Sequence, residues 1–415
     1  MSTNLIKEDM FTQLLRRNQM SVKERIFGFD VFYENIEKNL YQRKVLSPMD
    51  REVLVKTSFE EKAKKMLMFG SNNYLGFANN EKIKKEVLEA ININGVGLSG
   101  PPLLNGYHHL ICELENKIAA FEEQQSALLF SSGYAANLGI FSTISTKKDI
   151  VLIDEQHHAS CFDGLTLGNK PYKTFPHNDM AALENLFNDP KVKAAQDVFI
   201  AVEGVYSMSG DIAPLDKLVK ICETHNAYLI LDDAHGSGVM GKNGRGTASH
   251  FQVQDKIFLS MGTFSKTFAS TGGFVAGRKE IIAYLRYFAR SYMFSAGLLV
   301  VNAQTVLTGL NLLERDPSIH QRLKDNTFYM ARELKKLGFD CNDETPIFII
   351  PAKEGMDFQE AIYEFHKMGV FLNAVEYPAV PKGKKYFRLS ISAIHTREDL
   401  DFLLSCINTI IVGAK

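Results

Sequence analysis

The chain is predicted to be an α/β protein, with a mostly parallel central sheet covered by helices on both faces and a smaller α+β domain at its C-terminal end. Two observations predict this. From Met66 onward, short and nearly continuous apolar runs alternate with helical patterns, the texture of strands buried on both faces. Past Pro317 that alternation gives way to a helix followed by strand, helix, strand, strand and helix, the order of a small mixed domain.

Residues 1–65 are rich in charge and read as helix, with Phe27–Lys38 the best amphipathic stretch. The predicted strands of the large domain are Ala127–Phe130, Ile150–Ile153, Val198–Val202, Tyr228–Leu231, Ile257–Ser260 and Phe274–Ala276. Between them the apolar spacing predicts helices over Tyr107–Phe121, Ala135–Ser145, Met180–Asn188 and Leu215–His225. A long helical region starts at Lys279 and ends at Pro317, and Ile319–Leu337 forms the next helix. The last part reads as strand Pro346–Pro351, helix Asp357–Met368, strands Val370–Asn373 and Phe387–Ser392, and helix Arg397–Val412. The expected organisation is an N-terminal helical segment (1–65), a large domain (66–305) and a small C-terminal domain (306–415).

At 415 residues the chain suffices for about two or three domains. Its 45% apolar and 23% charged residues are ordinary for a soluble globular protein. A formal charge of −1 argues against nucleic acid as a partner. The five cysteines are scattered without a Cys-x-x-Cys pair, which gives neither a disulfide framework nor a zinc signature. The N-terminus lacks an apolar signal region, and the most apolar stretch, Phe294–Leu313, is broken by polar residues and reads as a buried helix, not a membrane span. The expectation is a cytoplasmic protein with no transmembrane segment.

The chemistry concentrates at predicted strand ends, where open α/β sheets bind ligands. Lys266 lies in Met261-Gly-Thr-Phe-Ser-Lys-Thr-Phe268, downstream of Asp232-Asp-Ala-His235. A lysine alone in such a run is ordinarily a surface residue. With an acid to hold a protonated pyridine nitrogen and a histidine to meet a phenolic oxygen, the set points to pyridoxal phosphate (PLP), whose ring is an electron sink for a carbanion. Ser131-Ser-Gly-Tyr134 closes one strand and opens a helix, so the amides of Gly133 and Tyr134 can point at a phosphate, although simple turn chemistry reads the same way. His158 follows another strand and could stack on a planar ring, while His157 has no evident task. Ser207, in Glu203-Gly-Val-Tyr-Ser207, could offer a hydroxyl to the cofactor's edge or simply belong to a turn. Either Asp232 or Asp233 could bind a metal, but no Glu or His is spaced for a metal site, so none is expected. Gly95-Val-Gly-Leu-Ser-Gly100 imitates a dinucleotide fingerprint, yet Pro101-Pro102 stands where the phosphate-binding helix would run.

Taken in order, Ser71-Asn-Asn-Tyr-Leu-Gly76, His158-Ala-Ser160, Asp232-Asp-Ala-His235, Thr263-Phe-Ser-Lys266 and Tyr377-Pro-Ala-Val-Pro381 resemble segments of the α-oxoamine synthases. These are PLP enzymes of fold type I that condense an amino acid with an acyl-CoA. The likeness runs from about Met68 to the C-terminus. Leu67–Gly76, Asn243-Gly-Arg-Gly-Thr247, Ala289–Ala296 and Gly369–Asn373 resemble the serine palmitoyltransferase branch in particular. Three places depart from that branch: Gly100-Pro101-Pro102 stands where it has Gly-Ser-Arg, Asn105-Gly-Tyr-His lacks its threonine, and Leu372-Asn-Ala replaces its Val-Asn-Pro.

The resemblance implies a mechanism. Lys266 would hold PLP as a Schiff base and take the substrate's α-proton. Asp232 would stabilise the protonated pyridine, His235 would bond the phenolate oxygen, and His158 would stack on the ring. Gly133 and Tyr134 would hold the phosphate with the hydroxyls of Thr263 and Ser265, and Ser295 would reach the partner subunit's phosphate. Arg388, assisted by Asn73, would bind the substrate carboxylate. The carbanion would attack the thioester, releasing CoA and CO2 and leaving an α-amino ketone. L-serine and palmitoyl-CoA are the expected substrates, as in sphingolipid-base synthesis, and a homodimer with interfacial active sites is implied. Alternatives within the family are 8-amino-7-oxononanoate synthase, glycine C-acetyltransferase and cysteate acyltransferase chemistry; an aminotransferase is the alternative outside it.

Overall fold

A computed structural model describes residues 21–23, 41–57, 59–376, 380 and 383–413. The amphipathic stretch Phe27–Lys38 lies outside the described residues, as does most of Tyr377–Pro381. In chain order the strands are β1 Lys44–Val45, β2 Glu52–Lys56, β3 Lys64–Met68, β4 Ser126–Phe130, β5 Ile150–Asp154, β6 Tyr172–Phe175, β7 Val198–Glu203, β8 Tyr228–Asp232, β9 Leu259–Thr263, β10 Gly273–Gly277, β11 Ile347–Pro351, β12 Val370–Phe371, β13 Asn373–Val375 and β14 Tyr386–Ser390. The longer helices are α1 Glu81–Asn94, α2 His109–Phe121, α3 Gly133–Thr143, α4 Ala159–Leu167, α5 Met180–Leu186, α6 Leu215–His225, α7 Lys279–Phe288, α8 Val300–Arg315, α9 Ser318–Lys336, α10 Phe358–Lys367 and α11 Arg397–Ile407.

Seven strands form the central sheet in the order β4-β10-β9-β8-β7-β5-β6. The pairs β5–β6, β5–β7, β7–β8 and β8–β9 are parallel, and β10 runs antiparallel to both its neighbours. The carboxyl ends of β4, β5, β7, β8 and β9 therefore share one edge. β5, β9 and β10 are buried along their whole length, as the continuous apolar runs require of a sheet covered on both faces. This is the fold of the type I PLP transferases.

Several expectations are corrected. The helix expected through residue 65 fails over the described residues from 41 onward, where β1, β2 and β3 form strands. Their sheet is completed by β12, which pairs in parallel with β3 from more than three hundred residues downstream (Val370↔Leu67). The expected strand Val370–Asn373 divides at Leu372: β12 joins β3, whereas β13 pairs with β14. The helical region from Lys279 breaks where Ala289 turns extended (ψ 107), and residues 294–299 are not helical before α8 begins. The strand expected at Ile257–Ser260 is displaced to β9, because Gly262 lets the ring of Phe274 close on the backbone; a Cβ there would lie 2.3 Å from Phe274 Cζ.

The apolar core is divided within one helix. Ile319 and Leu323 of α9 pack in the large core with α2 and α8, while Met330, Ala331 and Leu334 pack in a second core with α10, α11 and β14. Among the described residues no helix is long and apolar enough to cross a membrane.

Candidate active site

Five turns leave the common edge of the sheet, and they bring most of the expected residues together. After β8, the Asp232 carboxylate is 5% exposed. It accepts from the amide of Ala234 (3.0 Å) and from Asn137 Nδ2 of α3 (2.8 Å). Asn137 also donates to Ser160 Oγ (2.9 Å), tying α3 to α4 behind the carboxylate.

His235 is buried, and its Nδ1 lies 2.8 Å from Tyr74 Oη. Burial, with Lys266 and Arg388 nearby, drives its pKa well below the usual histidine value, so the imidazole is neutral. The Tyr74 hydroxyl donates either to Asn72 Oδ1 (3.2 Å) or to His235 Nδ1, and the second choice leaves the imidazole proton on Nε2. Tyr74 belongs to the Ser71–Gly76 segment, but sequence reasoning gave it no role.

Lys266 follows β9 and is largely buried. Burial lowers its pKa to about 8, with the charges of Asp232 and Glu203 opposing that fall. A neutral amine is thus accessible near neutral pH, as a Schiff-base lysine requires.

A cradle for an anion stands opposite. Ser132 caps α3 by accepting from the amide of Ala135, and no hydrogen bond occupies the amides of Gly133 and Tyr134 among the described residues. A Cβ on Gly133 would meet Thr263 Cβ and Oγ1 at 3.0 Å, so only glycine lets the helix start approach the Thr263 and Ser265 hydroxyls, which are themselves 3.0 Å apart. Ser295 Oγ is 3.5 Å from Ser131 Oγ of the same chain. Helix-start amides and clustered hydroxyls suit a phosphate. The Tyr134 side chain points elsewhere, hydrogen-bonded to Asp163. His158 caps α4 through Nδ1, which accepts from the amide of Ser160 (3.2 Å), and its ring stays exposed, edge-on to Tyr134.

Arg388 comes from β14, across the second core. It is 5% exposed, and Nε donates to the Ser207 carbonyl (2.7 Å) while Nη1 donates to Asn72 Oδ1 (3.1 Å) and Ser390 Oγ (3.0 Å). Nη2 takes no part in these bonds. Asn72 is a residue that sequence reasoning missed. Its neighbour Asn73 is buried, and its Oδ1 accepts from the amide of Ala78 (3.2 Å). Phe69 leads the chain into this arrangement: its amide donates to Phe371 O and its carbonyl accepts from Ser390 N, each at 2.8 Å, so the residue that precedes Gly70–Asn73 is held between β12 and β14. Ser207 contributes its carbonyl to Arg388, and its amide donates to Glu203 Oε2 (3.1 Å). A cavity of about 620 Å³ opens here, lined by Asn72, Asn73, Lys266, Val87, Val301 and Met49 among others.

A buried carboxylate, a neutral histidine, a lysine of lowered pKa and an open helix start facing hydroxyls together fit PLP. The comparisons agree. The aminotransferase class I and II family matches residues 64–407. The 8-amino-7-oxononanoate synthase of Thermosipho melanesiensis is 37% identical over 91% of this chain and 97% of its own. The serine palmitoyltransferase of Bacteriovorax stolpii is 40% identical over 83% of this chain and 82% of its own. A solved serine palmitoyltransferase from S. paucimobilis, with a bound PLP–myriocin aldimine, is 28% identical with a TM-score of 0.86, covering 94% of this chain and 98% of that one. The chain belongs to the class I and II aminotransferase family and, within it, to the α-oxoamine synthases. It is a PLP-dependent acyltransferase, and both kinds of synthase stand among its relatives at similar identity.

Proposed function

We propose that the protein condenses L-serine with a long-chain acyl-CoA, palmitoyl-CoA foremost, releasing CoA and CO2 and forming an α-amino ketone. The observation that carries the amino-acid half is Arg388: a buried guanidinium with one terminal nitrogen outside its protein bonds, close enough to Lys266 for each charge to weigh on the site. A buried arginine fork suits a carboxylate. The serine palmitoyltransferase segments and the likeness to a solved enzyme of that name favour serine. The 37% identity to an 8-amino-7-oxononanoate synthase over nearly the whole chain favours that chemistry as the second reading.

When bound, PLP would supply an electron sink for a substrate carbanion. Lys266 would anchor the cofactor, and its amine, with a pKa of about 8, suits removal of the substrate's α-proton. Asp232 would keep the ring nitrogen protonated, and His235 would bond the phenolic oxygen. His158 would cover the ring face. Gly133 and Tyr134 amides and the hydroxyls of Thr263 and Ser265 would receive the phosphate, Ser295 would reach the phosphate in the partner subunit, and Ser207 would contribute at the cofactor's edge while anchoring Arg388. Asn73 assists Arg388 at the substrate carboxylate.

We also propose a cytoplasmic homodimer with its active sites at the interface. Leu88, Ile93, Val96, Leu104, Phe294 and Leu299 are exposed, and the two loops carrying most of them meet where Gly297 N donates to Gly100 O (3.3 Å). An apolar surface of this kind favours a subunit contact.

The test is a matrix of serine, glycine, alanine, threonine and cysteate against acyl-CoA thioesters from acetyl to palmitoyl, scored by thiol release. Serine with palmitoyl-CoA should lead. Faster release with alanine and a shorter acyl group transfers the assignment to the second reading, and keto-acid formation without thiol release removes both.

A further inference from the structure

Behind Asp232 lie two buried groups that the proposed reaction does not use. His157 ends the turn after β5 with its side chain fully buried, and Glu203 ends β7. His157 Nδ1 and Glu203 Oε1 are 4.0 Å apart. Among the described residues, both ring nitrogens of His157 and Oε1 of Glu203 have no hydrogen-bond partner. Three buried polar atoms left unmatched in one place are costly unless they serve one another. The surroundings are crowded with charge: a His157 nitrogen, Cys161 Sγ and an Asp232 carboxylate oxygen all lie within 4.8 Å of one another.

We propose that His157 and Glu203 are a positioning pair that shares a single proton, so that Asp232 remains the only anion against the cofactor's ring nitrogen. The inference rests on the reading of Asp232 as that nitrogen's partner. The proton resides on the carboxyl group. Burial followed by the charge of Asp232 pushes Glu203 up to about 8, and burial pushes His157 down to about 4, so neither is charged at neutral pH. The groups facing the pair are Asp232 on β8, Lys266 after β9, Asp154 at the end of β5, His158 and Cys161 beside α4, and Tyr206 after β7. Closing the gap by about 1 Å would make a hydrogen bond from the carboxyl group to Nδ1. Glu203 Oε2 already accepts from the amide of Ser207, so the pair fixes the turn that carries the anchor of Arg388.

The test uses the PLP-loaded full chain and follows its visible absorbance against pH, which reports protonation of the lysine–cofactor linkage. His157→Ala admits water and lets Glu203 ionise near neutrality, adding an anion beside Lys266. The titration midpoint should then rise by about half a pH unit or more. His157→Asn keeps an acceptor near the Nδ1 position and should restore the original midpoint. The rise should vanish when His157→Ala is combined with Glu203→Gln. An equal rise in the Glu203→Gln background, or no rise in a His157→Ala protein of native circular dichroism, overturns the pair. Asp232→Asn serves as the control. If it leaves the absorbance unchanged, the assignment of Asp232 falls, and the pair falls with it.

Discussion

Tyr74 Oη sits 2.8 Å from His235 Nδ1 and 3.2 Å from Asn72 Oδ1, so one buried phenol links the histidine of the cofactor side to the asparagine that holds Arg388. A hydroxyl has one proton: donation to Nδ1 leaves Nε2 protonated, whereas donation to Asn72 Oδ1 lets Nδ1 donate to the phenol.

Tyr74→Phe should therefore leave His235 free to take the wrong tautomer while keeping the buried ring in place. An orphaned buried nitrogen costs about 1–3 kcal/mol, which predicts roughly a 5- to 100-fold loss in PLP affinity with near-native circular dichroism. Absorbance titration of the apoprotein with PLP measures it. Unchanged affinity would remove the phenol from the site.

Lys266 is nucleophilic only when deprotonated, and its pKa is lowered to about 8. The rate at which apoprotein captures added PLP should rise about tenfold per pH unit below that point and level off above it. Stopped-flow absorbance gives the profile. A rise continuing toward pH 10 would show an unperturbed lysine, and Lys266→Ala should abolish capture at every pH.

Arg388→Lys keeps the charge but loses the fork and the Nε bond to Ser207 O. The KM for the amino acid should increase by roughly ten- to a hundredfold, while the KM for the thioester stays within about twofold. Equal increases in both would place Arg388 outside the carboxylate site.

His177 bridges two acids, with Nδ1 3.2 Å from Asp154 Oδ1 and Nε2 3.2 Å from Asp211 Oδ2. Burial alone would lower its pKa, but the bonds to Asp154 and Asp211 outweigh that and raise it to about 9. A raised pKa means the folded state binds the proton more tightly. Its contribution is full below the unfolded value near 6.5 and is lost as pH rises through 9. His177→Gln should cost about 1–2 kcal/mol at pH 6 and progressively less as pH rises from about 6.5 to 9, read by urea denaturation at each pH. A cost that does not change with pH contradicts a charged bridge.

The parts legible in sequence share a physical cause. β5, β7 and β8 are covered on both faces, so their apolar runs are nearly unbroken, and the reactive residues stand just beyond them. β6, Tyr-Lys-Thr-Phe, lies at the sheet edge with two exposed positions, and nothing in its composition distinguishes it from a loop. β2 and β3 carry charge at positions facing outward, and their partner β12 is too distant for any local pattern to announce. Asn72 was hidden for the same reason. Its role depends on Arg388, which only the closed fold brings near. His157 has no evident task in the sequence, because the group it faces, Glu203, lies on a strand that reaches it only through the sheet.

The bond between Asn72 and Arg388 has a temporal consequence. Asn72 and Arg388 are 316 positions apart, whereas the residues assigned to the cofactor, from Gly133 to Ser295, all lie between them. During synthesis the ribosome releases the whole cofactor pocket before Arg388 leaves the exit tunnel. The proposed grip on the amino-acid carboxylate is therefore completed last, after every residue assigned to the cofactor has been synthesised.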